Sequence, residues 1–194
     1  MEEYKDGMFL GRAKSIGGEL DVMVTIEQGQ LVDVQLPVNK EHTGIGKEVA
    51  EALAEQILEK GTTEGVDAMS GATFTSNAVF EAADRALKCA TTGYNDGKYK
   101  GSAQSIGGTI DEIVTVENGD ITDITFELNN EHKGIGKEAA PIIAQSIIDA
   151  NSTNVDTIAG ATRTSEAVIK ATQMCLDQAS GEAMRALQEQ TDEK

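Results

Sequence analysis

Leu20, Val22, Val24 and Ile26 alternate with Asp21, Met23, Thr25 and Glu27. This period of two marks a strand with one face in a core. Gln28-Gly29 predicts a tight turn into a second alternating run, Val32, Val34, Leu36 and Val38. Upstream, Asp6 to Ile16 reads as a strand that Gly17-Gly18 turns. The first third of the chain therefore predicts a three-strand antiparallel meander. The period then changes. Val49, Ala50, Leu53, Ala54, Ile57 and Leu58 recur at helical spacing, and Gly61 stops that helix. A further helix is expected from about Asn77 to Ala90, with Thr75 and Ser76 as its caps.

The whole plan then returns. Gly17-Gly18 recurs as Gly107-Gly108, and Gly44-Ile45-Gly46-Lys47-Glu48 as Gly134-Ile135-Gly136-Lys137-Glu138, both at an offset of 90. A long period seen twice is a domain duplication, since solenoids need three or more short units. In the second copy Ile110, Val114 and Val116 line a strand, Asn118-Gly119 is a hairpin turn, and Ile124, Phe126 and Leu128 line the next strand. Pro141 stands opposite Glu51. Because proline suits a helix's first turn, the paired helices are expected to start near Val49 or Ala50 and near Ala139 or Ala140. The last helix is expected from near Glu166 to near Gly181. The fold class is thus α+β, two tandem repeats, each an antiparallel sheet packed with two helices. The expected division is 1–90, 91–181 and a charged C-terminal tail 182–194, with Thr91 to Gly97 as a short linker.

Composition narrows the partners. A net charge of −17 argues against nucleic acid and anionic membrane surfaces. Aromatic residues make up 4% of the chain and Trp is absent, so a flat ligand must rest mainly on aliphatic and backbone surface. Cys89 and Cys175 are not equivalent between repeats, form no metal spacing, and read as buried small hydrophobes. No run approaches membrane-spanning length. No signal peptide is read, and Met1-Glu2-Glu3 fits a start after a removed leader.

The candidate chemistry lies in Asp67-Ala68-Met69-Ser70-Gly71-Ala72-Thr73, which returns as Asp156-Thr157-Ile158-Ala159-Gly160-Ala161-Thr162. The small residues Gly71 and Ala72, and Gly160 and Ala161, let backbone approach a bulky group. Thr73 and Thr162 present hydroxyls just before a predicted helix, where N–H groups and the helix dipole favour a phosphate. A plain glycine turn and cap would explain one copy; two copies favour a site.

These stretches resemble the motif of the FMN-binding domain family, in which the threonine of Asp-x-x-Ser/Thr-Gly-Ala-Thr carries FMN through a phosphodiester bond. The first copy matches fully. The second has Ala159 where Ser or Thr is usual. The resemblance implies covalent FMN on Thr73 and Thr162, placed by a separate flavin transferase that uses FAD and Mg²⁺ and recognises Asp67 and Asp156. The cofactor site would include Ser70, Gly71, Ala72, Gly160 and Ala161. The loops Glu41, His42, Gly44, Ile45, Gly46 and Glu131, His132, Gly134, Ile135, Gly136 would lie against the flavin ring, although the family often has Thr where these histidines stand. A shared histidine metal site is not expected.

The expected function is a redox carrier rather than a stand-alone enzyme: a covalently flavinylated phosphoprotein resembling surface lipoproteins that pass electrons outward. Its partners would be a quinone-linked membrane donor and external acceptors, with membrane attachment only through a leader absent here. Its place would be the outer face of the cytoplasmic membrane or the periplasm. The alternatives are the flavin module of a larger fumarate- or urocanate-type reductase, and a non-redox structural repeat.

Overall fold

Both meanders form, and their turns show why. In a computed structural model describing residues 3–39, 45–127 and 135–192, Gln28 and Gly29 have φ of 52° and 72°, and Asn118 and Gly119 have 52° and 77°. Two consecutive positive φ values make the hairpin turn whose twist matches the flanking strands. In the first repeat β1 (Gly7–Ser15), β2 (Gly18–Glu27) and β3 (Gln30–Asn39) pair antiparallel in that order. In the second, β4 (Gly97–Ser105), β5 (Gly108–Glu117) and β6 (Asp120–Glu127) do the same. One expected side chain changes face. Ile26 pairs with Leu31 but Thr25 pairs with Asp33, so Val32 is the extra residue of a bulge and is exposed, and Leu31 takes its place against the core.

Each sheet is covered by helices. In the first repeat α1 (Ile45–Lys60) and α2 (Thr73–Thr92) bury Leu53, Ile57, Val79, Ala82 and Ala86 against Phe9, Val22 and Val24. Gly61 ends α1 with φ of 69°, its N–H donating to the Ile57 carbonyl at 2.8 Å. In the second repeat α3 (Ile135–Ala150) and α4 (Thr162–Ala179) bury Ile143, Ile147, Val168 and Leu176 over Ile110, Val114 and Val116. At Gly11 and Gly101 strand and helix approach closely. A Cβ on Gly11 would strike the Ala82 carbonyl oxygen, and one on Gly101 the Ala171 carbonyl oxygen.

Several expected boundaries are corrected. α1 and α3 start at Ile45 and Ile135, so Pro141 lies inside α3, on its exposed side. α2 and α4 begin at Thr73 and Thr162, earlier than the spacing of apolar residues indicates. Of the stretch read as a linker, Thr91 to Asp96 belong to the first unit and Gly97 opens β4. Thr91 and Thr92 finish α2, and Gly93 caps it with φ of 92°. Asn95 is buried; it accepts the Leu10 N–H at 2.8 Å and donates to the Met8 carbonyl at 3.0 Å.

The charged tail is a helix, α5 (Gly181–Asp192). Contacts divide the chain into 1–96 with 180–194, and 97–179. Tyr94 and Ser180 form an antiparallel bridge, Gly181 lies over the Phe9 ring, and Arg185 donates to the Ile26 carbonyl at 3.0 Å. α5 therefore completes the first unit.

Candidate functional site

The loop before each long helix is a β-turn with glycine third. Ala72 N–H donates to the Met69 carbonyl at 3.1 Å, and Gly71 between them has φ of 85°. In the second copy Ala161 N–H donates to the Ile158 carbonyl at 2.9 Å, and Gly160 has φ of 83°. A side chain would be strained at that φ. A serine inside the helix then clamps the turn. Ser76 Oγ accepts the Met69 N–H at 3.1 Å and donates to the Ala72 carbonyl at 2.9 Å. Ser165 Oγ repeats this on the Ile158 N–H and the Ala161 carbonyl, both at 3.1 Å. Both serines are fully buried. Ser76 is not the helix cap that its place after the motif had indicated; it and Ser165 are positioning residues for the loop. Their shared 89-residue offset with Thr73 and Thr162 was the signal that could have found that role.

This clamp sets each threonine as the first residue of a helix. Thr73 and Thr162 are exposed. The residue before α2, Ala72, has φ of −135° and makes no side-chain cap. The first helical bond of α2 is Ser76 N–H to the Ala72 carbonyl at 2.9 Å, which leaves the N–H groups of Thr73 to Thr75 pointing beyond the helix end. Neither α2 nor α4 has an acidic residue in its first turn. Nothing lies within 4 Å of where a Cβ on Gly71 or Gly160 would stand. An exposed hydroxyl, uncapped N–H groups, open space and no competing carboxylate together fit a phosphate-linked group such as FMN.

The other expected residues are placed unevenly. Ser70, Asp67, Asp156 and Ala159 are exposed around the two turns, while Ala161 is buried. Ile45, Gly46, Ile135 and Gly136 open α1 and α3 as helix residues. Glu41, His42, Gly44, Glu131, His132 and Gly134 lie outside the described residues. Among the described residues no His, Cys, Asp or Glu cluster could hold a metal, and no helix is long and apolar enough to cross a membrane.

The second domain carries a buried polar group the first lacks. Glu112 falls on the core face of β5, between Ile110 and Val114, and is 1% exposed. Its Oε1 accepts from Thr172 Oγ1 at 2.5 Å, and Oε2 has no partner. Burial pushes this carboxyl up to about 7, against the opposing effect of the Thr172 hydrogen bond. Burial, with Glu112 beside it, also pushes the Cys175 thiol up to about 11. The equivalent first-domain residues are Val22, Ala83 and Ala86.

A tandem α+β protein with a phosphate-ready threonine in each repeat is the class that fold and site define. The FMN-binding domain family matches residues 16–88 and again 106–177. The chain belongs to that family and is a flavin-binding protein with two tandem FMN-binding domains. It is 34% identical over 94 residues, 48% of its own length, to an uncharacterized protein of Treponema pallidum (strain Nichols). It is also 34% identical over 94 residues, 47% of its length, to an NADH:acrylate oxidoreductase of Vibrio harveyi. The matched segment covers 26% and 9% of those relatives.

Proposed function

We propose that this protein is an electron carrier that holds FMN in phosphodiester linkage on Thr73 and on Thr162. The observation that carries the reading is the exposed threonine at the head of a helix with no acidic residue in its first turn, present in both repeats. A flavin transferase using FAD and Mg²⁺ installs each group. The threonine Oγ1 bonds to the FMN phosphorus, the FAD pyrophosphate bond breaks, AMP departs, and the hydroxyl proton is released.

The flavin supplies the electron chemistry; the protein supplies attachment, orientation and electrostatics. The helix-end N–H groups hold the phosphate, and the serine clamp fixes the loop that presents the threonine. Asp67 and Asp156 are read by the transferase. The donor is a quinone-linked membrane protein and the acceptors lie outside the cytoplasmic membrane, where the protein is held as a lipoprotein. Coexpression with a flavin transferase followed by intact-mass measurement tests this. Two FMN additions are expected, one lost in Thr73→Ala and one in Thr162→Ala. Unchanged mass after coexpression defeats the reading.

A second reading has specific support. The Vibrio harveyi relative is named for NADH and acrylate, and the matched segment is a small part of it. On this reading the chain is the flavin module of a larger reductase for unsaturated carboxylates. A reading frame that continues into a catalytic domain would favour it over the free-standing carrier.

A further inference from the structure

Among the described residues the three most exposed large apolar side chains are Ile106 at 82%, and Ile16 and Phe74 at 70% each. Their places are not scattered. Phe74 follows Thr73 directly in the first turn of α2. Ile106 lines a cleft of about 320 Å³ together with Arg163, which follows Thr162 directly in α4. The hairpin tip between β4 and β5 therefore stands beside the threonine end of α4. Ile16 is the counterpart of Ile106 at the offset of 90.

Folding does not account for these side chains. Ile16 and Ile106 occupy the two turns in which Ser15 pairs with Gly18 and Ser105 with Gly108. Gly, Pro, Asn, Asp and Ser are the residues that favour turns; a β-branched apolar residue gains neither turn geometry nor burial there. Phe74 likewise stays outside the core, although Thr75, Ser76 and Ala78 of the same helix are buried. One exposed apolar residue is ordinary. Here the same tip carries isoleucine in both repeats, and the other residue of the three is the neighbour of Thr73.

We propose that Ile106 in the second repeat, and Ile16 with Phe74 in the first, form the apolar surface on which the flavin transferase docks to reach each threonine. The inference rests on the reading that both threonines receive FMN. An enzyme that joins Thr162 Oγ1 to the FMN phosphorus must bring the FAD pyrophosphate up to that hydroxyl. It then covers the cleft between the end of α4 and the hairpin tip. The pyrophosphate bond breaks, AMP leaves and the hydroxyl proton passes to solvent, so this chain supplies the attacking oxygen and the docking surface. Apolar and aromatic anchors are the usual centre of such a contact, and the enzyme offers each tip an apolar hollow. The three are positioning residues: they touch the enzyme and not the reacting atoms.

The test uses the whole chain with purified flavin transferase, FAD and Mg²⁺, and follows incorporation by intact mass. Thr73→Ala reports Thr162 alone, and Thr162→Ala reports Thr73 alone. Ile106→Asn on the first background, and Ile16→Asn with Phe74→Asn on the second, should each lower kcat/KM by about fivefold or more, as loss of a docking anchor does. The loss should lie in KM with kcat unchanged, because the contact is made on docking and kept through the reaction. Ile106→Leu should keep the wild-type value. Thermal midpoints check that each variant is folded, and the two repeats give independent tests if one variant is not. Wild-type kinetics in both, or a fall in kcat alone, overturn the inference and leave the attachment reading standing. Loading at the wild-type rate with an altered flavin absorption spectrum assigns the tips to the bound flavin and overturns it too. A wild-type chain that takes up no flavin overturns both.

Discussion

Ser76 and Met69 are joined by a hydrogen bond of 3.1 Å from the Met69 N–H to the Ser76 hydroxyl, and Ser165 and Ile158 repeat it at the same distance. A buried side chain inside the helix thus sets the backbone of the loop that presents the threonine. Ser76→Ala leaves that N–H without its partner. The expected loss is about 1–3 kcal/mol in urea unfolding, with a slower time course of flavin incorporation at Thr73 and unchanged helix content. Incorporation at the wild-type rate would show that the clamp does not serve the site.

The two threonines should not fill equally fast. Ser70 is exposed and can offer its hydroxyl to the transferase, while Ala159 cannot. One such hydrogen bond contributes about 0.5–1.5 kcal/mol, so Thr162 should fill severalfold more slowly than Thr73 under limiting transferase. The comparison is a mass time course of the two single-threonine variants. An equal or faster second site would rule out Ala159 as a handicap.

Glu112 gives the second domain a pH dependence. Its carboxyl ordinarily titrates at 4.5 and in the fold at about 7. Below 4.5 both states are protonated and nothing is lost. Between the two values the unfolded chain ionises while the folded one keeps its proton, so stability falls as pH rises, then levels above about 7. The span corresponds to on the order of 3 kcal/mol. Urea unfolding followed from pH 4 to 8 should show this slope in the wild type and not in Glu112→Gln. Glu112→Val, which copies Val22, should be the more stable protein at pH 8. A wild-type slope that survives in Glu112→Gln would assign it elsewhere.

Gly11→Ala should destabilise the first domain, because the new methyl meets the Ala82 carbonyl where strand and helix touch. Overpacking of this kind costs about 1–3 kcal/mol, sometimes more. Thermal unfolding of Gly11→Ala and Gly101→Ala should show lowered midpoints for both, since the second glycine meets Ala171 in the same way. An unshifted midpoint would mean that the helix can move away freely.

The strand pattern was legible because apolar residues alternate along the strands, although β2 buries Asp21 and Met23 together with Leu20, Val22 and Val24. Val32 misled because a bulge is a backbone event that alternation cannot reveal. The start of α2 was hidden because it has no capping side chain, while Thr75 and Ser76 look like caps. Pro141 misled through a sound preference that exposure on α3 relaxes. Glu112 sat on the apolar face in plain view, but spacing alone cannot tell a buried carboxyl from an interruption of the pattern. The threonine motifs were legible as a repeat; the hydrogen bonds that shape them were not, because Ser76 and Ser165 act backward along the chain.

The bridge between Tyr94 and Ser180, with Gly181 seated over Phe9, has a consequence for biosynthesis. Domains emerge from the ribosome in order and usually fold in that order. Here the first unit is not completed over Phe9 until α5, which follows the second unit, appears. At the usual about 5–20 residues per second, the intervening second unit imposes a wait of seconds. During that wait β1 carries α2 but lacks α5, and the second unit has already been made. The unit synthesised first is the one completed last.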